Sequence, residues 1–301
     1  SSSNYNNIYK KMITTIHEIL RNNIVNSGFY SHVSLIQPCG KYSFSRETLE
    51  TFWDVYCHKI QNLTEGTKYG IAEKPQDYLP VLVDIDLKVP YETEIKKLYT
   101  DEQVNEIVQI YQSVLRDIVK DCNDNHLVCV VLEKPPYIFE GVSKKYIKNG
   151  FHLHFPYLFL SKLNQEYYLL PYVKQQLKQT NIFQELGYQD SSTVIDSAVL
   201  SVNWLLYGSV KSEASIPYKV SRIVNSDSVN ISLEDAFENY RIYNRNEEQI
   251  DIADNIEYYL PRILSIVPFC REVQIIVSGL KCIVSINKKQ VKKNFDHKSI
   301  H

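Results

Sequence analysis

Apolar residues along this chain recur in two rhythms, one of three to four positions and one of two, and their order sketches an alternation of helices and strands. From about residue 5 to 26, Ile8, Met12, Ile16, Ile19 and Leu20, with Ile24 beyond, form the stripe of an amphipathic helix, and Gly28 supplies a stop. A short strand near Ser31 to Gln37 follows, and Gly40-Lys41-Tyr42 reads as a turn into another extended piece. Leu49, Phe52, Trp53, Tyr56 and Ile60 return to the helical rhythm. The polar stretch from Asn62 to Gln76 is expected to be a loop. From Pro80 to Lys88 the period is two: Val81, Val83, Ile85 and Leu87 alternate with Leu82, Asp84, Asp86 and Lys88, the pattern of a strand. Thr100-Asp101-Glu102-Gln103 is a capping box opening a helix whose buried side carries Val104, Ile107, Val108, Tyr111, Val114, Leu115, Ile118 and Val119.

Further on, Leu127 to Leu132 is a valine-rich run short enough for a central strand, broken by Pro135-Pro136. A loop carrying Lys144, Lys145 and Lys148 ends at Gly150. Phe151 to Leu160 predicts a strand with an irregularity at Pro156, and a helix from about Lys162 to Gln179 should be kinked or split by Pro171. Val194-Ile195 is a short apolar approach to Asp196. Trp204 to Tyr207 is strand-like and turns at Gly208, and Tyr218 to Val224 is another strand. Ser232 is placed to cap a helix over Leu233 to Phe237. Residues 240–257 are polar and read as a boundary or long loop. Ile275 to Ile286 has β-rich pieces, and Lys288, Lys289, Lys292, Lys293 and Lys298 make a basic tail.

Composition narrows this picture. The 301 residues are 44% hydrophobic and 23% charged, enough for one large globular domain or two small ones. The net charge of −2 means that any nucleic-acid binding must come from local clusters. Six cysteines with no Cys-x-x-Cys and no zinc spacing fit a reduced, intracellular protein. No apolar run reaches membrane-spanning length, the N-terminus is no signal peptide, and a first residue of Ser fits a piece of a longer protein.

The chemistry starts from strand geometry. Side chains two apart share a face, so Asp84 and Asp86 sit side by side, and two carboxylates that close repel unless a cation lies between them. Hard divalent ions take such oxygens. Gly150-Phe151-His152-Leu153-His154-Phe155 places His152 and His154 on one face, Asp196 adds a third acid, and Tyr207-Gly208-Ser209-Val210-Lys211 offers a hydroxyl and a point charge that suit a phosphate. Each signal alone also fits a bland role: solvated acids on an edge strand, hydrogen-bonded core histidines, a surface turn with a solvated lysine. Their order carries more. Three carboxylates can hold two divalent ions, which can activate a primer 3′-hydroxyl and stabilise a leaving pyrophosphate.

As a set, Val83-Asp84-Ile85-Asp86, Gly150-Phe151-His152, Ile195-Asp196 and Gly208-Ser209-Val210-Lys211 resemble the motifs of the archaeo-eukaryotic primases. Within that superfamily they resemble the primase domains of primase–helicases from large nucleocytoplasmic DNA viruses. The resemblance spans about residues 78 to 225. It implies an α+β archaeo-eukaryotic primase fold of two packed α/β modules, the catalytic one with an RNA-recognition-motif-like sheet bearing the acids on its open face. It implies a catalytic domain over 1–235 and a C-terminal extension over 236–301. It implies that Asp84, Asp86 and Asp196 ligate two Mg²⁺ or Mn²⁺ ions, and that His152, Lys211, Ser209 and Lys148 bind the phosphates of a nucleoside triphosphate. His154 shares the face but is not required by the motif. Where some relatives have Ser two places before the histidine, this chain has Gly150, so a hydroxyl contact to phosphate is lost or passes to a backbone amide. The implied partners are a single-stranded DNA template and a hexameric helicase region of the same longer chain, with no membrane, in the host cytoplasm for a viral protein. No Walker A motif lies in these residues. Two rival readings are a non-catalytic single-stranded-DNA-binding module working through Lys144, Lys145, Lys148 and the basic tail, and a metal-dependent nuclease using the same acids and His-x-His.

Overall fold

In the computed structural model, which describes residues 15–268 and residue 271, the chain folds as α+β in two modules packed side by side. The smaller is built first. Thr15 caps helix α1 (Ile16–Asn22) by accepting from the Glu18 amide at 3.1 Å. The expected helical stripe is shorter than its pattern. Asn23 turns out of the helix, and Ile24–Val25 form strand β1, pairing with Lys41 and Tyr42. Strand β2 (His32–Ser34) and strand β3 (Gly40–Tyr42) follow, so the Gly40 segment is a strand and not only a turn. Helix α2 (Arg46–Gln61), capped by Ser45, buries Leu49, Phe52, Trp53 and Tyr56. Strand β4 (Ile71–Glu73) lies inside the segment expected to be a loop; three residues with a buried acid among them carry no alternation to read. Ile8 and Met12, the lysine tail and the β-rich pieces at Ile275 to Ile286 lie outside the described residues.

The larger module holds the rest. Strand β5 (Tyr78–Pro90) is followed by helix α3 (Asp101–Ile118), opened by the expected capping box between Thr100 and Gln103. Then come strand β6 (Cys129–Glu133), strand β7 (Tyr137–Glu140) and the long strand β8 (Lys145–Ser161). The lysine-rich stretch read as a loop is thus a β-hairpin, since Tyr137–Glu140 pair with Lys145–Lys148. After β8 the chain makes one π-helical turn over Gln165–Leu169 and enters helix α4 (Leu170–Lys178), so the split falls just before Pro171. Strand β9 (Trp204–Leu205) pairs with β4 in the smaller sheet, and strand β10 (Lys219–Val224) with strand β11 (Asn230–Ile231) completes the larger one. The stretch read as a loop at 240–257 follows helix α5 (Leu233–Phe237). It contains strands β12 (Ile242–Tyr243) and β13 (Gln249–Ile250) and leads into helix α6 (Ile256–Ile263).

The six-stranded sheet has the order β11-β10-β6-β8-β5, with β7 also on β8. One face is closed by α3 and α4, which pack on Val81, Val83, Ile85, Phe151, Leu153 and Phe155. Each such buried side chain contributes about 1.5–3 kcal/mol relative to exposure, an upper estimate. The other face is covered in part by residues 236–264, which pack on Val128, Val130, Leu132 and Tyr157. The acids of β5 lie on the uncovered part, Asp84 half-buried and Asp86 exposed. The β5–β8 ladder is interrupted once, between Pro80 and Val81, opposite residues 156–158. A second tie joins the modules: Glu73, fully buried in β4, accepts from the Ser265 hydroxyl at 2.5 Å and the Ile266 amide at 3.0 Å.

Candidate active site

The register of β5 against β8 sets Asp84 opposite His152 and Asp86 opposite Gly150, so the acid pair and the histidine share the open face. His152 Nε2 lies 3.3 Å from Asp84 Oδ1. Asp196 arrives from far along the chain. An isolated bridge between Ile195 and Ile85 holds it, with the Asp196 amide donating to the Asp84 carbonyl at 3.0 Å. One oxygen from each of Asp84, Asp86 and Asp196 lies within 4.8 Å of the others. Burial raises the Asp86 carboxyl above the usual range, the charge of Asp84 raises it further, and Asp196 adds to this while His152 and Lys148 oppose it. Carboxylates gathered this closely, with their mutual repulsion only partly relieved, are a donor set that a hard divalent cation fits. Among the described residues this is the group of metal-ligating side chains that converges, and no zinc-type cluster accompanies it.

Gly150 has a steric reason to be glycine. A Cβ built there would lie 2.0 Å from the Ile85 carbonyl oxygen, so no side chain fits without separating β5 from β8. Any phosphate contact at this position therefore falls to backbone.

His152 is held from both modules. Its ring stacks on Tyr218 at 3.7 Å between centroids and 21° between planes, and meets Trp204 of β9 at 4.7 Å. Lys134, just past β6, places its ammonium 4.9 Å from the Tyr137 ring centroid and 4.8 Å from that of Tyr218. Burial, then the charge of Lys211, lowers its pKa, with Asp86 and Asp84 pulling the other way. Lys211 Nζ is 3.5 Å from the Tyr137 hydroxyl, and Lys148 lies over the Phe139 ring at 4.2 Å. Lys134, Tyr137, Lys211, Trp204 and Tyr218 border one pocket of about 210 Å³ with Asp84, Asp86 and His152, and Leu132, His154 and Leu264 line it as well.

Two expected residues are placed differently from their neighbours. The Ser209 hydroxyl is buried, 2.8 Å from the Tyr56 hydroxyl and accepting from the Ile71 amide at 3.1 Å. The preceding Gly208 has φ +92°, and a Cβ there would meet Ile60 at 2.8 Å. His154 is buried with no partner at Nε2, and burial pushes its pKa down to about 3, so it is neutral.

Lys134, Tyr218 and the clamping role of Trp204 were not found from the sequence. Lys134 follows Leu132 by two, which puts it on the same strand face, but only the β6–β8 register shows that this face is the acidic one. Tyr218 stood at the start of a strand with nothing to mark its ring as a partner for His152.

A family described as "C962R protein N-terminal AEP domain" matches residues 31–224. The chain is 35% identical over 258 residues to "Putative helicase 121R" of Invertebrate iridescent virus 3, covering 81% of this chain and 26% of that protein. It is 34% identical over 261 residues to "Putative helicase 184R" of Invertebrate iridescent virus 6, covering 80% and 26%. With "Putative helicase L207/L206" of Acanthamoeba polyphaga mimivirus the identity is 28% over 193 residues, covering 64% and 19%. The chain thus spans about a quarter or less of the length of these curated relatives. No helix among the described residues is long and apolar enough to cross a membrane.

Proposed function

The chain belongs to the archaeo-eukaryotic primase (AEP) domain family, and on that premise we propose that it is a template-directed nucleotidyltransferase, the primase part of a viral primase–helicase. It joins nucleoside triphosphates into primers on single-stranded DNA. The observation that carries this reading is the meeting of Asp84, Asp86 and Asp196 within 4.8 Å, with His152 and lysines around the same pocket. A nuclease would need the acids but has no use for several cations placed to hold a triphosphate.

Asp84, Asp86 and Asp196 would hold two Mg²⁺ or Mn²⁺ ions. Bound there, such ions supply Lewis acidity to the attacking hydroxyl and neutralise charge on the phosphates. The protein's own groups do the remaining work. His152, fixed between Tyr218 and Trp204, presents Nε2 to a phosphate oxygen, with Asp84 Oδ1 3.3 Å away. Lys148 and Lys211 neutralise the other phosphate oxygens, and Lys134 joins them from β6. Ser209, already engaged by Tyr56 and Ile71, acts on the nucleotide by holding the turn that carries Lys211. We take 1–235 as the catalytic unit and 236–301 as an extension, of which Leu264 lines the pocket. A helicase in the remainder of a longer chain is the partner that the names of the relatives suggest, and a hexameric form working inside the host cell is our reading from the family resemblance.

The test is synthesis on a single-stranded template with Mg²⁺ or Mn²⁺, ribo- and deoxynucleotides being supplied in separate reactions. Wild-type protein should make labelled products, and Asp84→Ala with Asp86→Ala should make none while melting as a folded protein. Undiminished synthesis by the double variant overturns the site. DNA binding with no incorporation under any metal points to a loading module, and shortening of the DNA without nucleotides to a nuclease.

A further inference from the structure

The hairpin that the sequence did not reveal extends the active-site face outward. Positions two apart keep one face, and register carries that face across strands. From Asp86 on β5 it passes to Lys88 and Pro90, and from Gly150 on β8 to Lys148 and Tyr146. On β7, Tyr137 pairs with Lys148 and Phe139 with Tyr146, so both join the same face. Between Asp86 and the hairpin tip the described residues of these strands offer it no carboxylate; Glu140 is on the reverse side, 3.6 Å from Lys145 Nζ.

The side chains on this face form a repeating pair of ring and ammonium. Lys88 and Lys144 sit over Tyr146 at 4.4 and 5.3 Å, and Lys148 over Phe139 at 4.2 Å. Phe139 is 39% exposed, so its apolar surface is not used by the core. The track begins two residue pairs beyond the acids and reaches Tyr146 about 13 Å from the Asp86 row, at about 3.3 Å per residue. In a chain of net charge −2 this concentration of lysine is local.

Rings spaced between ammonium groups, with Phe139 exposed and Tyr137 and Tyr146 half-buried, complement one class of ligand: a strand with a phosphate on every unit and a flat base free to stack. A duplex keeps its bases inside and cannot use the rings. We infer that the Tyr137–Lys148 hairpin, with Lys88, is a binding track for single-stranded nucleic acid leading into the acidic pocket. This rests on the nucleotidyltransferase reading for the direction of the strand, but the binding itself can be tested apart from it.

The experiment measures fluorescence anisotropy of a labelled oligo-dT of about 12 nucleotides, over a range of salt concentrations, beside a blunt duplex of the same length. Phe139→Ala with Tyr146→Ala should weaken oligo-dT binding at least tenfold. Phe139→Trp should retain it, which separates ring loss from misfolding. Lys88→Ala with Lys144→Ala should reduce the salt slope by about 1.4. Asp84→Asn with Asp86→Asn should bind oligo-dT as wild type does while making no product, so a failed polymerisation assay leaves this result readable. Oligo-dT affinity unchanged in both hairpin variants, no binding by wild type, or equal loss of duplex binding would overturn the inference.

Discussion

The His152 imidazole lies almost parallel to the Tyr218 phenol, 3.7 Å away, while its Nε2 points to Asp84 at 3.3 Å. Neither neighbour is near His152 in sequence. A ring packed on one face and tethered at its tip has little freedom to turn, so the group offered to substrate is oriented before substrate arrives.

Removing the stack should therefore cost binding more than folding. Tyr218→Leu is expected to raise the nucleotide KM about tenfold in steady-state incorporation, and Tyr218→Phe, which keeps the ring, to stay within about twofold of wild type. Equal loss in both variants would show that the hydroxyl and not the ring matters.

Metal binding should depend on pH in a stated direction. Burial and the charge of Asp84 make Asp86 harder to ionise than an ordinary aspartate. Protons and metal compete for it, so Mn²⁺ affinity measured by calorimetry should rise with pH through the range above the usual aspartate value. A flat profile there would mean that Asp86 is not a ligand.

Gly150→Ser tests the packing of β5 on β8. The new Cβ would enter the Ile85 carbonyl, and overpacking of this kind costs about 1–3 kcal/mol or more. Urea denaturation should show that loss, and activity should fall with it because Asp84 and His152 sit two pairs further along the same ladder. A variant as stable as wild type would show that the strands separate freely.

Glu73 gives a stability prediction. Burial raises its carboxyl to about 7 from the ordinary glutamate value of 4.5, although Ser265, the Ile266 amide and Arg271 pull the other way. The folded state then holds a proton that the unfolded state releases between these values. Its contribution is fully present below about 4.5 and is lost as pH rises through 7, by about 3 kcal/mol at most. Glu73→Gln stays neutral at every pH. The stability of wild type relative to this variant should fall between pH 5 and 8 in thermal or urea unfolding, and a constant difference would count against a buried, protonated Glu73.

The site was legible where it depends on local periodicity. Asp84, Asp86, His152 and His154 are placed by a period of two, which is visible in a single strand. Asp196 is different: its approach depends on the Ile195–Ile85 bridge across more than a hundred residues, and only the motif order pointed to it. Strands β4, β7, β12 and β13 have two to four residues each, too few for a rhythm; β7 has the longer β8 as its ladder, and the others pair with strands as short as themselves. Residues 240–257 look polar because Tyr240, Ile242, Ile252 and Ile256 enter the core singly, spaced widely enough to leave no stripe.

The break opposite Pro80 has a consequence for arithmetic along β8. Paired residue numbers sum to 236 on the Asp84 side of the break and to 239 on the Tyr78 side, an odd difference. Phe151, Leu153 and Phe155 can thus point to the helices with odd numbers, and Leu158 and Leu160 with even ones. Pro156 and its two followers act as a phase shifter. Deleting one of them would force a choice between drowning His152 beneath the helices and turning Leu158 and Leu160 out to water, so the loss of a single residue here would be felt farther away than most substitutions.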